Sequence, residues 1–257
     1  MEYIASISYG KDSLAMLEII KQHNMPLDRI VHAEIMATKT IPADLPPMME
    51  FKEKADVIIK ERYGIEVERM KSKHSYESMF YSTYKKGKRV GNIYGFPFQR
   101  GPWCSDRLKI SCFKQFDNKD TVQYIGIAVD EPNRFNGLSE KKISPLVEYD
   151  ITEAEARIIC KELDLLSPIY SQTLRGGCWF CHNQGIGQLR LLRQQYPEYW
   201  KLMLKWDMDS PITFKANGRT VYDYEERFSL EDEGLVDKDE PFRWTMLNEE
   251  LNYRFDL

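Results

Sequence analysis

The sequence predicts an α/β fold in which helices cover a parallel sheet. Strand-like apolar segments alternate with segments of helical spacing over residues 1–150, and this alternation is typical of parallel sheets. The apolar run at residues 121–129 is the strongest strand signal, so we expect it near the centre of the sheet. A chain of 257 residues is long enough for one large domain, or for one domain with a smaller appendage.

The predicted elements follow one another in a regular order. Four segments have the pattern of buried strands: residues 3–7, 29–35, 65–70 and 121–129. Five segments have helical spacing: residues 14–20, 48–63, 152–163, 187–195 and 198–207. Gly64 is well placed to end the second helix, and Thr152 with Glu155 forms a capping box at the start of the third. Beyond residue 209, glycine, proline and many acidic residues predict short strands or loops.

The composition is that of a globular protein, with 42% hydrophobic and 30% charged residues and a net charge of -4. No apolar run approaches the length needed to cross a membrane, so no membrane partner is expected. The chain begins directly with a predicted strand and not with a basic and apolar leader. Five cysteines do not resemble a secreted disulfide framework, so we expect the reducing cytoplasm.

Positive charge is concentrated in the middle of the chain. Residues 71–114 contain ten lysines and arginines against two acids, and aromatic residues are interleaved with them. This mixture fits contact with phosphates and stacking on the bases of a nucleic acid, either DNA or tRNA. A solvated surface is the alternative interpretation.

The turn at residues 8–13 joins the first predicted strand to the first predicted helix. A helix N-terminus at this point directs free N–H groups and the positive end of the helix dipole toward a ligand. Gly10 allows close approach, Ser8 and Ser13 add hydroxyl groups, and Asp12 is suited to capping the helix or to binding Mg²⁺. The turn therefore predicts an anionic ligand, and the alternative is an ordinary capped helix start.

Two further loops are expected beside this turn, because ligands bind at the carboxyl ends of parallel strands. One loop, residues 36–38, follows the second strand and contains Ala37. The other follows the strongest strand and contains Asp130, Glu131 and Arg134. Arg134 is suited to a bidentate clamp on phosphate or sulfate, and either acid is suited to binding Mg²⁺. A strand-end turn with a surface ion pair is the alternative.

Four cysteines are arranged in two pairs. Cys178 and Cys181 form a C-x-x-C motif on a glycine turn, and Cys104 and Cys112 lie upstream. Four thiolates fit either a [4Fe–4S] cluster or a structural Zn²⁺ ion. A redox-active or persulfide-carrying pair and four inert thiols are the alternatives. Cys160 lies among apolar residues of a predicted helix, and we expect it to be a buried small hydrophobic residue.

The turn has the pattern S-x-G-x-D-S and resembles the PP-loop ATP pyrophosphatases, or adenine nucleotide alpha hydrolases, a superfamily with a Rossmann-like HUP fold. The segments starting at Gly126 and at Trp103 resemble the G-I-x-x-D-E-x-x-R and C-C-x-x-R-K motifs of its phosphoadenosine phosphosulfate (PAPS) reductase-like branch. The resemblance covers residues 1–205. It implies a nucleotide-binding α/β domain at residues 1–150, and a helical and irregular region with the C-x-x-C motif at residues 151–257.

The resemblance also implies roles for individual residues. The phosphates of ATP, or of a PAPS-like nucleotide, would be held by four residues of the turn, with Lys11 nearby: Ser8, Gly10, Asp12 and Ser13. Gly126 would lie near the nucleoside. The loop with Asp130, Glu131 and Arg134 would order the ligand, and Lys11, Asp12 and Arg134 are the expected catalytic residues. Cys104, Cys178 and Cys181 match cluster ligands. Trp103 replaces a further family cysteine, so Cys112 or His182 would complete the set.

The implied activity is adenylation of a substrate, with Mg²⁺-ATP as donor, followed by displacement of AMP by sulfur or another nucleophile. A partner protein would then supply the sulfur or the thiol. One alternative is a PAPS reductase-like enzyme with a partner thiol, because no cysteine follows Cys181 to act as the C-terminal nucleophile of that family. A non-catalytic nucleotide-binding protein with a structural zinc is the other alternative.

Overall fold

The computed structural model describes residues 1–97, 102–116, 118–138, 140–171, 176–242 and 244. A parallel five-stranded sheet in the order β3-β2-β1-β4-β5 forms its centre. The strands are β1 (Glu2–Ile7), β2 (Arg29–Glu34), β3 (Val67–Lys71), β4 (Thr121–Ile125) and β5 (Lys142–Ile143). The predicted α/β class is therefore confirmed, and the fold is Rossmann-like.

Ten α-helical segments accompany the sheet within the described residues. The first five are α1 (Lys11–Gln22), α2 (Pro46–Tyr63), α3 (Tyr76–Phe80), α4 (Ser111–Phe113) and α5 (Pro132–Phe135). The others are α6 (Pro145–Glu148), α7 (Glu153–Glu162), α8 (Ile186–Gln195), α9 (Pro197–Asp209) and α10 (Val221–Asp232). A π-helical segment, Ser105–Ile110, runs directly into α4. No described helix is long and apolar enough to cross a membrane.

The core forms where α1 and α7 pack on one face of the sheet. Helix α1 is buried along most of its length, and α7 contacts it through Ala156 and Cys160, which are both fully buried. Parallel strands are covered on both faces, and β2 accordingly has buried residues at five of its six positions. The expectation for Cys160 agrees with this burial.

Strand β4 ends earlier than the sequence predicts. The apolar run continues to residue 129, but sheet pairing stops at Ile125. After that point the backbone turns out of the sheet, and the N–H of Ile127 bonds to the carbonyl of Ile125. The Ser144 hydroxyl donates to the Ile127 carbonyl at 2.6 Å. The last part of the run is apolar because it is buried, not because it is a strand.

Helix α10 corrects the prediction of short strands or loops beyond residue 209. Thr220 caps this helix: its side chain accepts from the N–H of Asp223, and the Asp223 carboxylate accepts from the N–H of Thr220. Val221, Phe228 and Leu230 are buried. The T-x-x-D capping pattern was a local signal for this helix, but the many acids of the segment obscured its apolar positions.

The chain forms two compact units, one comprising Met1–Glu77 and Trp103–Trp179, and the other Ser78–Pro102 and Phe180–Leu257. The boundary suggested at residue 150 lies inside the first unit, because α7 packs against α1. The two-region division at this boundary therefore differs from the compact units.

Helices α8, α9 and α10 form the helical part of the second unit. An ion-pair network joins α8 to α10, with Glu231 accepting hydrogen bonds from Arg190 at 2.6 and 2.9 Å and from Arg227 at 2.9 Å. Only 7% of the Glu231 side chain is exposed. Arg227 also lies over the ring of Phe242. Aromatic packing between α9 and α10 includes the pair Trp200 and Phe228.

Candidate active site

A pocket of about 640 Å³ opens in the first unit at the carboxyl ends of β1 and β4. The turn at residues 8–13 forms one wall, and Glu131 and Arg134 lie on another. Parallel α/β sheets bind ligands at this edge. The structure thus brings the turn at residues 8–13 together with Glu131 and Arg134 in one pocket, as the sequence predicts.

The turn at residues 8–13 is held in shape by its own serines. The Ser13 hydroxyl donates to the Gly10 carbonyl at 2.9 Å and accepts from the Ser8 N–H at 3.0 Å. Tyr9 has a φ of 56° and is fully buried. A left-handed conformation at a bulky residue is costly, so the packing of the Tyr9 ring must hold the turn in place.

Helix α1 begins at Lys11 and leaves its first backbone N–H groups available. Gly10 is the N-cap and provides no side-chain acceptor. The N–H of Lys11 donates to the Tyr170 hydroxyl at 3.2 Å. Within the described part of the chain, the N–H groups of Asp12 and Ser13 have no acceptor. These donors and the helix dipole suit an anion such as a phosphate group.

Gly126 allows β4 to approach this helix start. A methyl group on Gly126 would lie 2.6 Å from both Cα and N of Ser13, and 2.7 Å from the carbonyl carbon of Asp12. No other residue type fits without displacing backbone atoms. Gly126 is therefore in direct contact with the turn, and its position near a nucleoside remains a prediction.

Three acids converge at the pocket. Carboxylate oxygens of Asp12, Glu131 and Glu153 lie within 4.8 Å of one another, and among the described residues they form the one group with metal-ligand spacing. Lys11 contacts Asp12 at 2.7 Å and Glu153 at 3.0 Å. Burial raises the pKa of Asp12, and the charges of Glu153 and Glu131 add to the increase, while Lys11 opposes it. A divalent cation would relieve this repulsion.

Lys11 balances two of these acids. Burial lowers the pKa of its ammonium group, but hydrogen bonds and charge from Asp12 and Glu153 outweigh this effect and raise the pKa overall. The ammonium group therefore stays charged at neutral pH. It lies beside the free N–H groups of the helix start, where a phosphate would meet it.

Arg134 is held by Glu131 and not by Asp130. Its guanidinium donates to both Glu131 oxygens, at 2.7 and 2.6 Å, within the short helix α5. Asp130 instead accepts a hydrogen bond from the N–H of Glu153 at 3.0 Å, at the start of α7. The sequence left open which acid would bind Mg²⁺. The structure places Glu131 in the acid group, and Asp130 in contact with the first residue of α7.

Lys109 supplies a further cation at the pocket wall. The Lys109 side chain as a whole is exposed to solvent, but nearby protein atoms bury its ammonium group. This burial lowers the pKa of Lys109, and the nearby Cys178 thiol opposes the decrease. Lys109 belongs to the basic stretch at residues 71–114, for which contact with phosphates is predicted.

Asp44 lies at the pocket and is supported by a buried lysine. The Lys52 ammonium, whose side chain is 1% exposed, donates to Asp44 at 2.6 Å and to Nε2 of His32 at 2.9 Å. Nδ1 of His32 lies 3.0 Å from the carbonyl of Ile7, so this nitrogen carries the proton. Burial and the Lys52 charge lower the pKa of His32 to about 3. Neutral His32 therefore ties β2 to the end of β1.

The ring of Tyr9 packs against this network. It meets the His32 ring edge-on with centroids 4.8 Å apart, and its hydroxyl donates to Asp56. Arg69 donates to the other Asp56 oxygen at 2.7 Å. Burial and the Asp56 carboxylate raise the pKa of Tyr9 far above its usual value. Helix α2 and strand β3 thus fix the residue that gives the turn its unusual backbone.

Ala37 lies beside the sheet edge but does not line the pocket. It is fully buried, its N–H donates to the carbonyl of Ile41 at 2.8 Å, and its own carbonyl accepts from the N–H of Glu77 at 2.9 Å. Its backbone groups are already occupied. The assignment of Ala37 to the nucleotide remains a prediction.

The cysteines are not gathered around one ion within the first unit. A tetrahedral Zn²⁺ site brings its sulfur atoms to about 4 Å from one another. Cys104, Cys112 and Cys178, which the first unit contains, form no such group of described residues. The Cys112 thiol donates to the Leu108 carbonyl at 3.6 Å, and burial raises its pKa. Cys181 belongs to the second unit, and the four-cysteine set remains a prediction.

Several pocket residues were not identified from the sequence, among them Glu153, Tyr170 and Asp44. Glu153 was interpreted as part of a helix start, and Tyr170 and Asp44 carried no motif. Each reaches the pocket from an element far along the chain from the turn. Only Glu153 had a signal in the sequence, because Thr152 marks the start of a helix there. An acid in the first turn of a helix that packs on α1 lies close to the sheet edge that carries the turn.

Comparisons with known proteins add little to this geometry. No family model and no curated protein matches the chain. Among solved structures, one similar chain is the U34-tRNA thiolase NcsA from Methanococcus maripaludis with its [4Fe-4S] cluster. Its TM-score is 0.39 and its sequence identity is 16%, over 81% of this chain and 71% of that chain. A likeness at this level carries no argument about function. The order of strand, turn and helix that the PP-loop resemblance implies is nevertheless present at the pocket.

Proposed function

We propose that the pocket binds Mg²⁺-ATP and that the protein activates a substrate by adenylation. The observation that carries this proposal is the meeting of free helix N–H groups, cations and a three-acid group in one pocket. The phosphates of a nucleoside triphosphate need N–H donors and cations, and the Mg²⁺ that accompanies them needs carboxylates.

Residues of this chain divide the binding tasks between them. The N–H groups of Asp12 and Ser13, with Lys11, would hold phosphate oxygens at the start of α1. Asp12, Glu131 and Glu153 would hold Mg²⁺, which neutralises charge on the phosphates. Arg134 would release one or both Glu131 oxygens to the metal and turn toward a phosphate, because its guanidinium presents two donors side by side.

The proposed reaction is nucleophilic attack on the α-phosphate. A substrate oxygen forms a bond to the α-phosphorus, the bond to the bridging oxygen of the β-phosphate breaks, and pyrophosphate leaves. The N–H groups and Lys11 stabilise the charge that builds on the leaving group. A sulfur or another nucleophile then displaces AMP from the activated substrate. A nucleic acid is our proposed acceptor, and a separate protein is our proposed source of the sulfur or thiol.

The cysteines are proposed to bind a [4Fe–4S] cluster and not zinc. Four thiolates in two pairs, one of them the C-x-x-C motif of Cys178 and Cys181, are a ligand set that such a cluster needs. The adenylation step uses no cysteine. Five free thiols suit a reducing compartment, so we expect the reaction in the cytoplasm.

The proposal is tested by measuring ATP binding and products with an acid variant. We expect Asp12→Asn to weaken Mg²⁺-ATP binding at least about tenfold, since losing a metal-holding carboxylate has effects of this size or larger. Glu162→Gln, an exposed acid on α7, is the matched control and should bind as the wild type does. Calorimetry with ATP, PAPS and ADP, each with and without Mg²⁺, measures the affinities.

The products decide between the reaction classes. AMP and pyrophosphate support adenylation, whereas ADP and phosphate contradict it. Tighter binding of PAPS than of ATP would favour the sulfonucleotide reductase alternative. Binding of ATP without any turnover in the presence of a cell-derived nucleic-acid fraction would favour the non-catalytic alternative.

A further inference from the structure

A strongly basic segment in the second unit is not explained by the nucleotide pocket. Residues 78–102 contain no aspartate or glutamate, whereas the whole chain carries 40 acids against 36 lysines and arginines. Four cations fall within five residues of this segment: Lys85, Lys86, Lys88 and Arg89. All four side chains are exposed. Among the described residues, the three lysines have no ion-pair partner.

These cations lie at the tip of a hairpin, which we call the basic arm (residues 82–94). The N–H of Tyr94 donates to the carbonyl of Ser82 at 2.8 Å, and the N–H of Tyr84 donates to that of Asn92 at 3.0 Å. Gly87 turns the chain with a φ of 84°. The hydrogen bonds run between the two sides of the arm, so the tip is presented to solvent on a defined backbone.

The root of the arm is anchored by packing and hydrogen bonds inside the second unit. Phe80 and Phe96 flank it and meet edge-on with centroids 5.5 Å apart. The N–H of Phe96 donates to the Ser210 hydroxyl at 3.1 Å, and the Tyr81 hydroxyl donates to Asp209 at 2.6 Å. A buried root and an exposed tip are what a fixed contact element needs, because little ordering entropy remains to be lost on binding.

An aromatic pair lies beside the cations. The rings of Tyr84 and Tyr94 have centroids 4.5 Å apart, and both side chains are partly exposed. Aromatic faces next to lysines are the combination that binds unpaired bases and their backbone phosphates. An acidic peptide would use the cations alone, and a membrane surface would be met by a wider apolar face than this hairpin offers.

We infer that the basic arm binds a single-stranded segment of a nucleic acid, with the lysines on phosphates and the tyrosines beside the bases. This inference rests on the proposed function in one respect, since it makes that nucleic acid the acceptor of the activated group. Binding by the arm itself needs neither ATP nor Mg²⁺. Because the arm reads backbone charge and base faces, we expect the affinity to depend little on sequence.

A charge-matched pair of triple variants tests the inference. The arm variant carries Lys85→Gln, Lys86→Gln and Lys88→Gln; the control carries Lys119→Gln, Lys161→Gln and Lys238→Gln. The control lysines are also exposed, so both variants lose the same charge. Fluorescence anisotropy of a labelled single-stranded oligonucleotide, without ATP, gives the affinity across a salt series. Thermal unfolding of both variants checks that they are folded.

The affinity falls as salt rises, and each phosphate contact of a single strand contributes about 0.7 to the steepness of log affinity against log salt. We therefore expect this dependence to be less steep by about 2 in the arm variant, which loses three lysines. The control should keep the wild-type slope. Equal slopes for the two variants, or no binding by the wild type, would overturn the inference. So would stronger binding to the matching duplex or to anionic phosphatidylserine vesicles. Failure of ATP binding in the pocket would leave these results unchanged, so the two proposals can fail separately.

Discussion

At the scale of single residues, the pocket depends on one position without a side chain and one with a bulky one. Gly126 lets β4 touch the start of α1, and Tyr9 holds a left-handed backbone through the packing of its ring. Gly126 acts because it has no side chain, and Tyr9 acts because its ring fills the space beside the turn. Both act on the same turn, at the carboxyl ends of β1 and β4.

Gly126→Ala should therefore distort the turn that forms one wall of the pocket. The added methyl group would lie 2.6 Å from backbone atoms of Ser13, which cannot rotate away as a side chain can. We expect a loss of about 2 kcal/mol in the free energy of unfolding, typical of an overpacked core, together with weaker ATP binding. Urea unfolding and calorimetry measure the two effects.

Gly137→Ala is the matched control for this substitution. A methyl group there would come no closer than 3.9 Å to another atom, the carbonyl oxygen of Arg134. The control should unfold and bind ATP like the wild type. An unchanged Gly126→Ala variant would show that β4 and the turn have room to separate.

Part of the pocket could be predicted from single residues and part could not. Ser8, Gly10 and Asp12 lie within one short segment, so their proximity is already present in the sequence. Glu153 and Asp44 arrive from other elements, and only the packing of α7 and α2 brings them to the turn. A local pattern holds no record of such long-range contacts. This is also why the choice between Asp130 and Glu131 stayed open.

At the scale of elements, periodicity was a sound guide to the longer helices before α10, and apolar runs were a poor guide to strand length. Helix α7 begins and ends within a residue of its prediction, because Thr152 and Glu155 cap it locally. Strand β4 is shorter than its apolar run, since burial of residues 127–128 continues after the sheet pairing stops. A run of apolar residues indicates that the segment is buried, and a segment can be buried without pairing in a sheet.

The ion-pair network between α8 and α10 leads to a prediction about the second unit. Removing the acid in Glu231→Ala would leave Arg190 and Arg227 side by side without their shared carboxylate. We expect a loss of about 3 kcal/mol in the free energy of unfolding, as for other broken buried pairs. Glu198→Ala breaks only the exposed pair with Lys201, and its unfolding should be unchanged within error.

The pH dependence of unfolding provides a second measure of the same network. Burial acts to raise the pKa of Glu231, but the hydrogen bonds of Arg190 and Arg227 prevail, and the pKa is lowered. Its stabilising contribution is therefore complete above the unfolded-state pKa and decreases as the pH falls below about 4.5. The difference between wild type and Glu231→Ala should narrow as the pH is lowered. A difference that stays constant with pH would contradict a role for the ionised carboxylate.

At the scale of the whole molecule, the chain crosses repeatedly between its two units. Residues 78–102 leave the first unit to form part of the second, and the chain crosses again after Trp179. The last crossing falls inside the Cys178–Cys181 motif. No pattern in the sequence marks these crossings, because none of them has a linker composition.

The cysteine proposal is tested on the complete chain, purified without oxygen. We expect iron and acid-labile sulfide together with broad visible absorbance, and we expect Cys104→Ser and Cys178→Ser to lose them. Cys160→Ser is the control, since this buried thiol donates to the Lys11 carbonyl and a hydroxyl can replace it. One zinc per chain, without iron, would contradict the cluster and indicate a structural zinc site. The absence of any metal would contradict the four-ligand set.

The strand order has a consequence for how the protein is made. Strand β1 lies in the middle of the sheet although it is synthesised first, and β2 and β3 can complete one side soon after they emerge. The other side must wait until residues 121–125 have been translated. During that interval β1 presents an unpaired edge to which other nascent chains can add. Chaperone binding and translation speed are therefore expected to matter most between the synthesis of β3 and that of β4.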